Sequence, residues 1–455
     1  MSDERLDILQ QAVAESSSDY GPVRIDRLKI SNYRFFRKEL EILCGGSNLL
    51  VYGENGSGKS TIYKALEYLT RRRFDSIATE KNIFAEEGEP LIEFAFTNGT
   101  ELLIHSDLTE LPAGFDFIKG LSIFTPMLDY KKLLKVHYSP ATADKINIYD
   151  MLRELFSSYE VETGVVLAEI VDPPVYFSEL QKIINGVLLE DAQKYLGYFD
   201  NDFKINGFSF KQAFSPDRRL EPVIHIEVDY RENQLDSYHT FLNEARLSAL
   251  AVSIYFAAIK ALHGTLKGTS LKILALDDLL ISLDMSNRLK LLKILQAEFT
   301  DFQIFFFTHD KEMFELYKDK MKWEKYELYL DDAAEIPDVI VKKGTSELER
   351  AKEFYAAKEY DCCALLLRKG FEKVLKAYLP PKEQRDKNCK ELMLDGLVGR
   401  AKSLTSGEAK LILEKLESDR THILNPLSHN DDRPIYSEEL RSAMEDLGKL
   451  KGLLR

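Results

Sequence analysis

Gly53-Glu54-Asn55-Gly56-Ser57-Gly58-Lys59-Ser60 spells G-x-x-x-x-G-K-S. The apolar run Asn48-Leu49-Leu50-Val51-Tyr52 precedes it, and the helical pattern Thr61-Ile62-Tyr63-Lys64-Ala65-Leu66-Glu67-Tyr68-Leu69 follows. Strand, glycine loop and helix in that order form a phosphate cradle. Glycines let backbone N–H groups wrap an anion, and the helix N-terminus adds a favourable field. Gly53, Asn55, Gly56, Gly58, Lys59, Ser60 and Thr61 are therefore the expected contacts of a nucleoside triphosphate. Lys59 reaches the β- and γ-phosphates, and Ser60 ligates Mg²⁺.

Two strands belong with this loop. Leu271-Lys272-Ile273-Leu274-Ala275-Leu276 and Phe302-Gln303-Ile304-Phe305-Phe306-Phe307 are nearly continuous in apolar residues, as parallel strands buried on both faces are. The first runs into Asp277-Asp278. Asp277, at the end of a buried strand, is the expected second Mg²⁺ ligand. Asp278 beside it is placed to orient water as general base. An α/β phosphate-loop sheet follows, with an all-α region after it.

The rest of the chain bounds the reading. At 455 residues it holds two or three domains, and its 45% apolar and 30% charged content is that of an ordinary water-soluble chain. A net charge of −14 excludes a general polyanion binder, so any nucleic-acid contact is a local basic patch. The four cysteines, Cys44, Cys362, Cys363 and Cys389, make no C-x-x-C pair, which points to a reducing compartment. No segment reads as a membrane span and no signal peptide is evident, so the cytoplasm is expected.

Along the chain, residues 1–142 carry the first part of the sheet, with a type I′ hairpin expected at Asn98-Gly99. Residues 143–212 read as a helical insert, broken at Pro173-Pro174 and Gly186 and too short for a coiled-coil arm. Residues 213–335 complete the sheet. Residues 346–455 read as a helical bundle. Arg71, Arg72, Arg73, Lys131, Lys132, Arg218 and Arg219 are the candidate nucleic-acid contacts.

The order of phosphate loop, Asp277-Asp278, Leu283-Asp284 and the strand ending in Thr308-His309 resembles the ATP-binding cassettes of the RecF, SMC and OLD group, over roughly residues 23–330. The resemblance implies ATP and Mg²⁺ as ligands, Asp284 as the D-loop aspartate and His309 as a switch histidine near the γ-phosphate. It also implies a signature segment that completes the site of an opposite subunit. Leu242-Asn243-Glu244-Ala245 occupies that place, with Asn243 where the family has serine and Ala245 where it has glycine. Asn243 can still donate to a phosphate, whereas Ala245 restricts the backbone. Slow turnover, or ATP held as a structural ligand, follows from these departures.

Residues 347–455 resemble the HEPN bundle. Asn425-x-x-x-His429 fits its ribonuclease motif, but Leu424 stands in the place of the arginine. Arg368-x-x-x-Glu372 resembles the pair that partners a distant histidine in anticodon nucleases. The bland reading is a packing bundle with an i,i+4 ion pair. The combination of cassette, short insert and helical end resembles phage-defence ATPases of the Septu and PARIS kinds. It implies a homodimer or higher oligomer, a separate nuclease subunit, and DNA or RNA as partners. The alternatives are a self-contained ATP-gated ribonuclease toxin and a RecF-like DNA-repair ATPase.

Overall fold

The computed structural model describes residues 22–70, 74–122, 127–129, 145–162, 165–214, 220–265, 271–279, 283–331, 335–344, 346–419 and 437–454. The chain forms two compact units that divide between Lys342 and Lys343.

The first unit runs β1 (Ile25–Ser31), β2 (Leu40–Leu43), β3 (Leu49–Gly53), α1 (Lys59–Glu67), β4 (Leu91–Phe96), β5 (Glu101–Ile104), α2 (Asp116–Lys119), β6 (Met127–Asp129), α3 (Tyr149–Phe156), β7 (Glu160–Glu162), β8 (Val165–Val166), α4 (Pro173–Ile183), α5 (Leu189–Phe199), β9 (Phe203–Phe214), β10 (Leu220–Tyr230), β11 (Asn233–Leu235), α6 (Tyr238–Phe241), α7 (Glu244–Thr265), β12 (Ile273–Asp277), α8 (Met285–Glu298), β13 (Gln303–Thr308), α9 (Lys311–Lys320), β14 (Glu324–Asp331) and β15 (Asp338–Lys343).

Its central sheet has the order β15-β14-β3-β13-β12-β6. The pairs β14–β3, β3–β13, β13–β12 and β12–β6 are parallel. Every residue of β3 and β13 is buried, which accounts for the apolar runs Leu49–Tyr52 and Ile304–Phe307. The register sets Asp277 opposite Phe307 and Thr308 opposite Tyr52. The phosphate loop, the paired aspartates and His309 thus emerge at one sheet edge.

An antiparallel sheet, β2-β1-β4-β5, stands beside it. Gln303 joins the two. Its Oε1 accepts from the Ile25 amide at 2.7 Å, and its Nε2 donates to the carbonyls of Ile25 and Ser47 at 2.8 and 2.9 Å. A buried amide so satisfied is a stitch rather than a liability.

Several expectations are corrected. The hairpin at Asn98-Gly99 is present, but only Gly99 of the pair has positive φ. The Gly99 amide bonds the Phe96 carbonyl and the Phe96 amide the Thr100 carbonyl. That is the three-residue loop with a bulge, not a type I′ turn. Pro173-Pro174 opens α4 at its first turn, where missing amide hydrogens cost nothing. Gly186 does not break the helix, because residues Ile184–Leu188 form a π turn that carries α4 into α5. The insert is not wholly helical either: β9, twelve residues long, pairs antiparallel with β10 across its whole length. Finally, Glu244–Gly264 is long and apolar enough to span a membrane, and 83% of that stretch is buried. Its apolarity on all sides comes from core packing.

The second unit contains α10 (Glu347–Ala356), α11 (Tyr360–Tyr378), α12 (Leu394–Leu404), α13 (Gly407–Asp419) and α14 (Ser437–Leu453). Leu367, Phe371, Leu397, Leu413, Leu440 and Leu447 form the middle of its core. Ser346 and Glu349 cap α10 reciprocally: the Glu349 amide donates to Ser346 Oγ, and the Ser346 amide to Glu349 Oε2.

Candidate nucleotide-binding site

The loop owes its shape to its glycines. Gly58 has φ +92 and lies against Phe36, whose Cζ would stand 2.8 Å from any Cβ added there. At Gly53 a Cβ would meet Ser57 Oγ at 2.3 Å and Lys59 Cγ at 2.8 Å. Both positions need the missing side chain. Lys59 is only 5% exposed. Its ammonium donates to the carbonyl of Gly53 at 2.5 Å and of Glu54 at 3.2 Å. Burial lowers it below an ordinary lysine, against the pull of Asp278 and Asp277. A buried cation at a helix N-terminus is what an anion would stabilise.

Ser60 Oγ lies 3.5 Å from Asp277 Oδ2. Hydroxyl and carboxylate oxygens are the hard donors that Mg²⁺ takes when it shares a phosphate ligand, so the residues present fit that ion. Among the described residues no group of three or more His, Cys, Asp or Glu side chains makes a self-sufficient metal cage.

Asp278 leaves β12 with φ +48, a strained conformation that asparagine and aspartate tolerate best. Its amide donates to the Phe307 carbonyl at 3.1 Å. The backbone amide and the Nδ1 of His309 both meet its Oδ1, at 2.9 and 2.8 Å. A carboxylate only accepts, so Nδ1 carries the hydrogen and Nε2 is left outward. Oδ2 of Asp278 makes no hydrogen bond among the described residues and is the oxygen left for water. Arg288 holds the segment that follows: it pairs with Asp310, the cap of α9, and its Nε donates to the Leu283 carbonyl at 2.8 Å.

Asn243 and Asp284 are elsewhere. Asn243 Oδ1 accepts from the Arg246 amide at 3.0 Å at the start of α7. Asp284 accepts from the Asn287 amide at 2.8 Å as the cap of α8. They share a polar cleft of about 180 Å³ with Asp200, Arg246, Asn287 and Lys290. No residue of the phosphate loop lines it. With Oδ1 used in the cap, the Asn243 Nδ2 remains a donor.

No sequence motif singles out Arg34 and Phe35. They line a pocket of about 510 Å³ with Thr61, Lys81, Ile83 and Phe84, next to the phosphate loop. Ser31-Asn32-Tyr33-Arg34-Phe35-Phe36 looks like an ordinary strand exit, and only the backbone conformation marks it. In the second unit, Arg368 Nε and Glu372 Oε1 are 3.2 Å apart on α11. Asn425 and His429 lie outside the described residues, as do Arg71, Arg72, Arg73, Lys131, Lys132, Arg218 and Arg219. The four cysteines are free thiols.

A family described as an AAA domain matches residues 27–119. Among curated proteins, none matches the sequence. Among solved structures, the chain is similar to an Smc head bound to the C-terminal winged-helix domain of ScpA, at 10% identity and TM-score 0.43, covering 72% of this chain and 99% of that one. It is similar to the SMC head domain from Thermotoga maritima, at 12% identity and TM-score 0.34, covering 70% and 98%. It is also similar to RecF with ATP, at 14% identity and TM-score 0.41, covering 71% and 100%. The first unit has a mixed α/β fold with a phosphate loop, the AAA match lies within it, and a helical region follows.

Proposed function

We propose that this chain is a regulatory ATPase of the cytoplasm that senses a nucleic-acid or phage-derived signal and controls a partner nuclease in antiviral defence. ATP is bound by Gly53–Ser60 and Thr61. Ser60 and Asp277 would hold Mg²⁺, which when bound would supply positive charge beside the phosphates. Oδ2 of Asp278 takes the proton of the attacking water, and His309 faces the γ-phosphate end through Nε2.

One observation carries the regulatory reading. Asn243 and Asp284 line a cleft of their own, without any phosphate-loop residue. The chain then offers two half-sites, and a second copy completes each. Occupancy by ATP would report assembly, which suits a switch better than a housekeeping hydrolase. The alanine at 245 restricts the backbone at this half-site, and turnover is accordingly slow.

The test is a phage challenge of cells carrying this gene together with any nuclease gene found beside it. Protection that disappears in Lys59→Ala and in the nuclease deletion supports the proposal. Equal plating with and without the gene pair would sink it. If the chain alone is toxic, and His429→Ala removes the toxicity, the self-contained ribonuclease takes its place.

A further inference from the structure

The turn after β1 places two non-glycine residues, Asn32 and Arg34, at φ +50 and +48. Such backbone persists only where the surroundings over-determine it, and here they do. The Asn82 amide donates to the Asn32 carbonyl, the Arg34 amide to the Glu80 carbonyl, each at 2.8 Å, and Asn82 Nδ2 to the Arg34 carbonyl at 2.7 Å. Glu80 also takes the side chain: Arg34 Nη1 donates to its Oε2 at 3.0 Å. The same oxygen accepts from the Tyr33 hydroxyl at 2.8 Å, and Oε1 accepts from the Tyr68 hydroxyl at 3.0 Å. Both tyrosines are fully buried, edge to face with centroids 6.0 Å apart. Burial, and then the Glu80 charge, push the Tyr33 phenol far above its ordinary value, so it remains a donor.

In the core this clamp gives two buried phenols their acceptor. It also bears on the pocket that Arg34 lines with Phe35, Thr61, Ile83 and Phe84. Asp277, Asp278 and His309 do not line that pocket. It therefore lies at the end of the loop away from the hydrolytic carboxylates, where the α-phosphate and nucleoside would sit. Arg34 is 40% exposed there. The Glu80 contact occupies one of its five N–H donors.

We propose that Glu80 is a positioning residue for nucleotide: held by Tyr33 and Tyr68, its carboxylate aims Arg34 at the α-phosphate side of a bound nucleoside triphosphate. The proposal rests on the ATP reading of the phosphate loop. It is distinct in what it predicts, because an α-phosphate is present in ATP and ADP alike.

The experiment measures ATP and ADP affinity by calorimetry, with KM, kcat and melting temperature, for full-length wild type, Arg34→Ala, Glu80→Ala, Glu80→Gln, the Arg34→Ala/Glu80→Ala double variant and Lys59→Ala. Arg34→Ala and Glu80→Ala are each expected to weaken ATP and ADP equally, by roughly tenfold, the scale of one charge-assisted hydrogen bond. The loss falls on KM rather than kcat. The double variant binds no more weakly than Arg34→Ala alone. Glu80→Gln, which keeps an acceptor for a tyrosine but no charge for Arg34, melts near wild type and still loses affinity. Losses that add in the double variant overturn the proposal, as does a Glu80→Gln protein that binds like wild type. If wild type binds neither nucleotide, both readings fall. If binding is lost in Lys59→Ala but intact in Glu80→Ala and Glu80→Gln, this proposal alone falls.

Discussion

Asp278 and His309 share a single oxygen: Oδ1 of Asp278 accepts from both the amide and the imidazole of His309. The aspartate thereby sets the tautomer of the histidine and keeps Oδ2 for water. Asp278→Asn keeps an acceptor for both contacts and removes only the base. Turnover should fall by roughly 10²–10⁴ with ATP affinity nearly unchanged. Single-turnover hydrolysis and equilibrium binding on one preparation check this. Equal losses in both would mean that Asp278 is structural.

Gly58→Ala should fail for two reasons at once. Its φ of +92 is strained for alanine, and the new methyl meets Phe36 Cζ at 2.8 Å. The variant should lose about 1–3 kcal/mol of stability and most of its ATP binding. A denaturant midpoint equal to wild type would show that the loop is softer than described.

Acid should weaken the first unit through identifiable carboxyls. Burial alone would raise Asp310, but the Met313 amide and Arg288 outweigh it and hold the group below its ordinary 3.8. Glu327 is likewise held below 4.5 by Lys311 and Tyr329, against burial. A depressed carboxyl stabilises fully above its unfolded value and loses that contribution as pH falls through its folded one. Urea midpoints should therefore decline as pH drops below about 4.5. Asp310→Ala should flatten that decline and cost about 1 kcal/mol at pH 7, the value of a helix cap. An unchanged slope in the variant would remove Asp310 from the account.

Ser346→Ala tests the second unit. It removes the Oγ that accepts from the Glu349 amide at 3.3 Å, while the Ser346 amide still reaches Glu349. A loss of about 1 kcal/mol is expected. Hydrogen exchange of the full-length protein should show it in α10 and α11, with amides of the parallel sheet unaffected.

The parts of this molecule that could be read from sequence are those built on local pattern. The phosphate loop and the runs ending at Asp277 and Phe307 announced themselves, because both faces of a central parallel strand are apolar. Asp284 and Asn243 were visible only as members of an order of motifs, and the structure gives each a plain local job as a helix cap. Arg34 was invisible, because its place depends on a positive φ and on Glu80, forty-six residues away. The long strand β9 is hard to see in sequence because its polar and apolar residues alternate only in part. The helix α7 reaches membrane length and apolarity because a helix packed on all sides in a core is apolar on all sides.

Gln303 has a mechanical consequence. Three bonds from one side chain hold β1 and the Ser47 turn to β13, between 2.7 and 2.9 Å. Bonds that start from one amide make this a point where the two sheets shift least against each other. Any tilt of the antiparallel sheet, which carries Arg34 at its end, against the parallel sheet, which carries the phosphate loop, is held here and again where the Tyr326 hydroxyl accepts from the Leu43 amide at 2.9 Å, as a door is held on two pins. Tightening of both around one nucleotide would then swing the far edge, β5, through the widest arc.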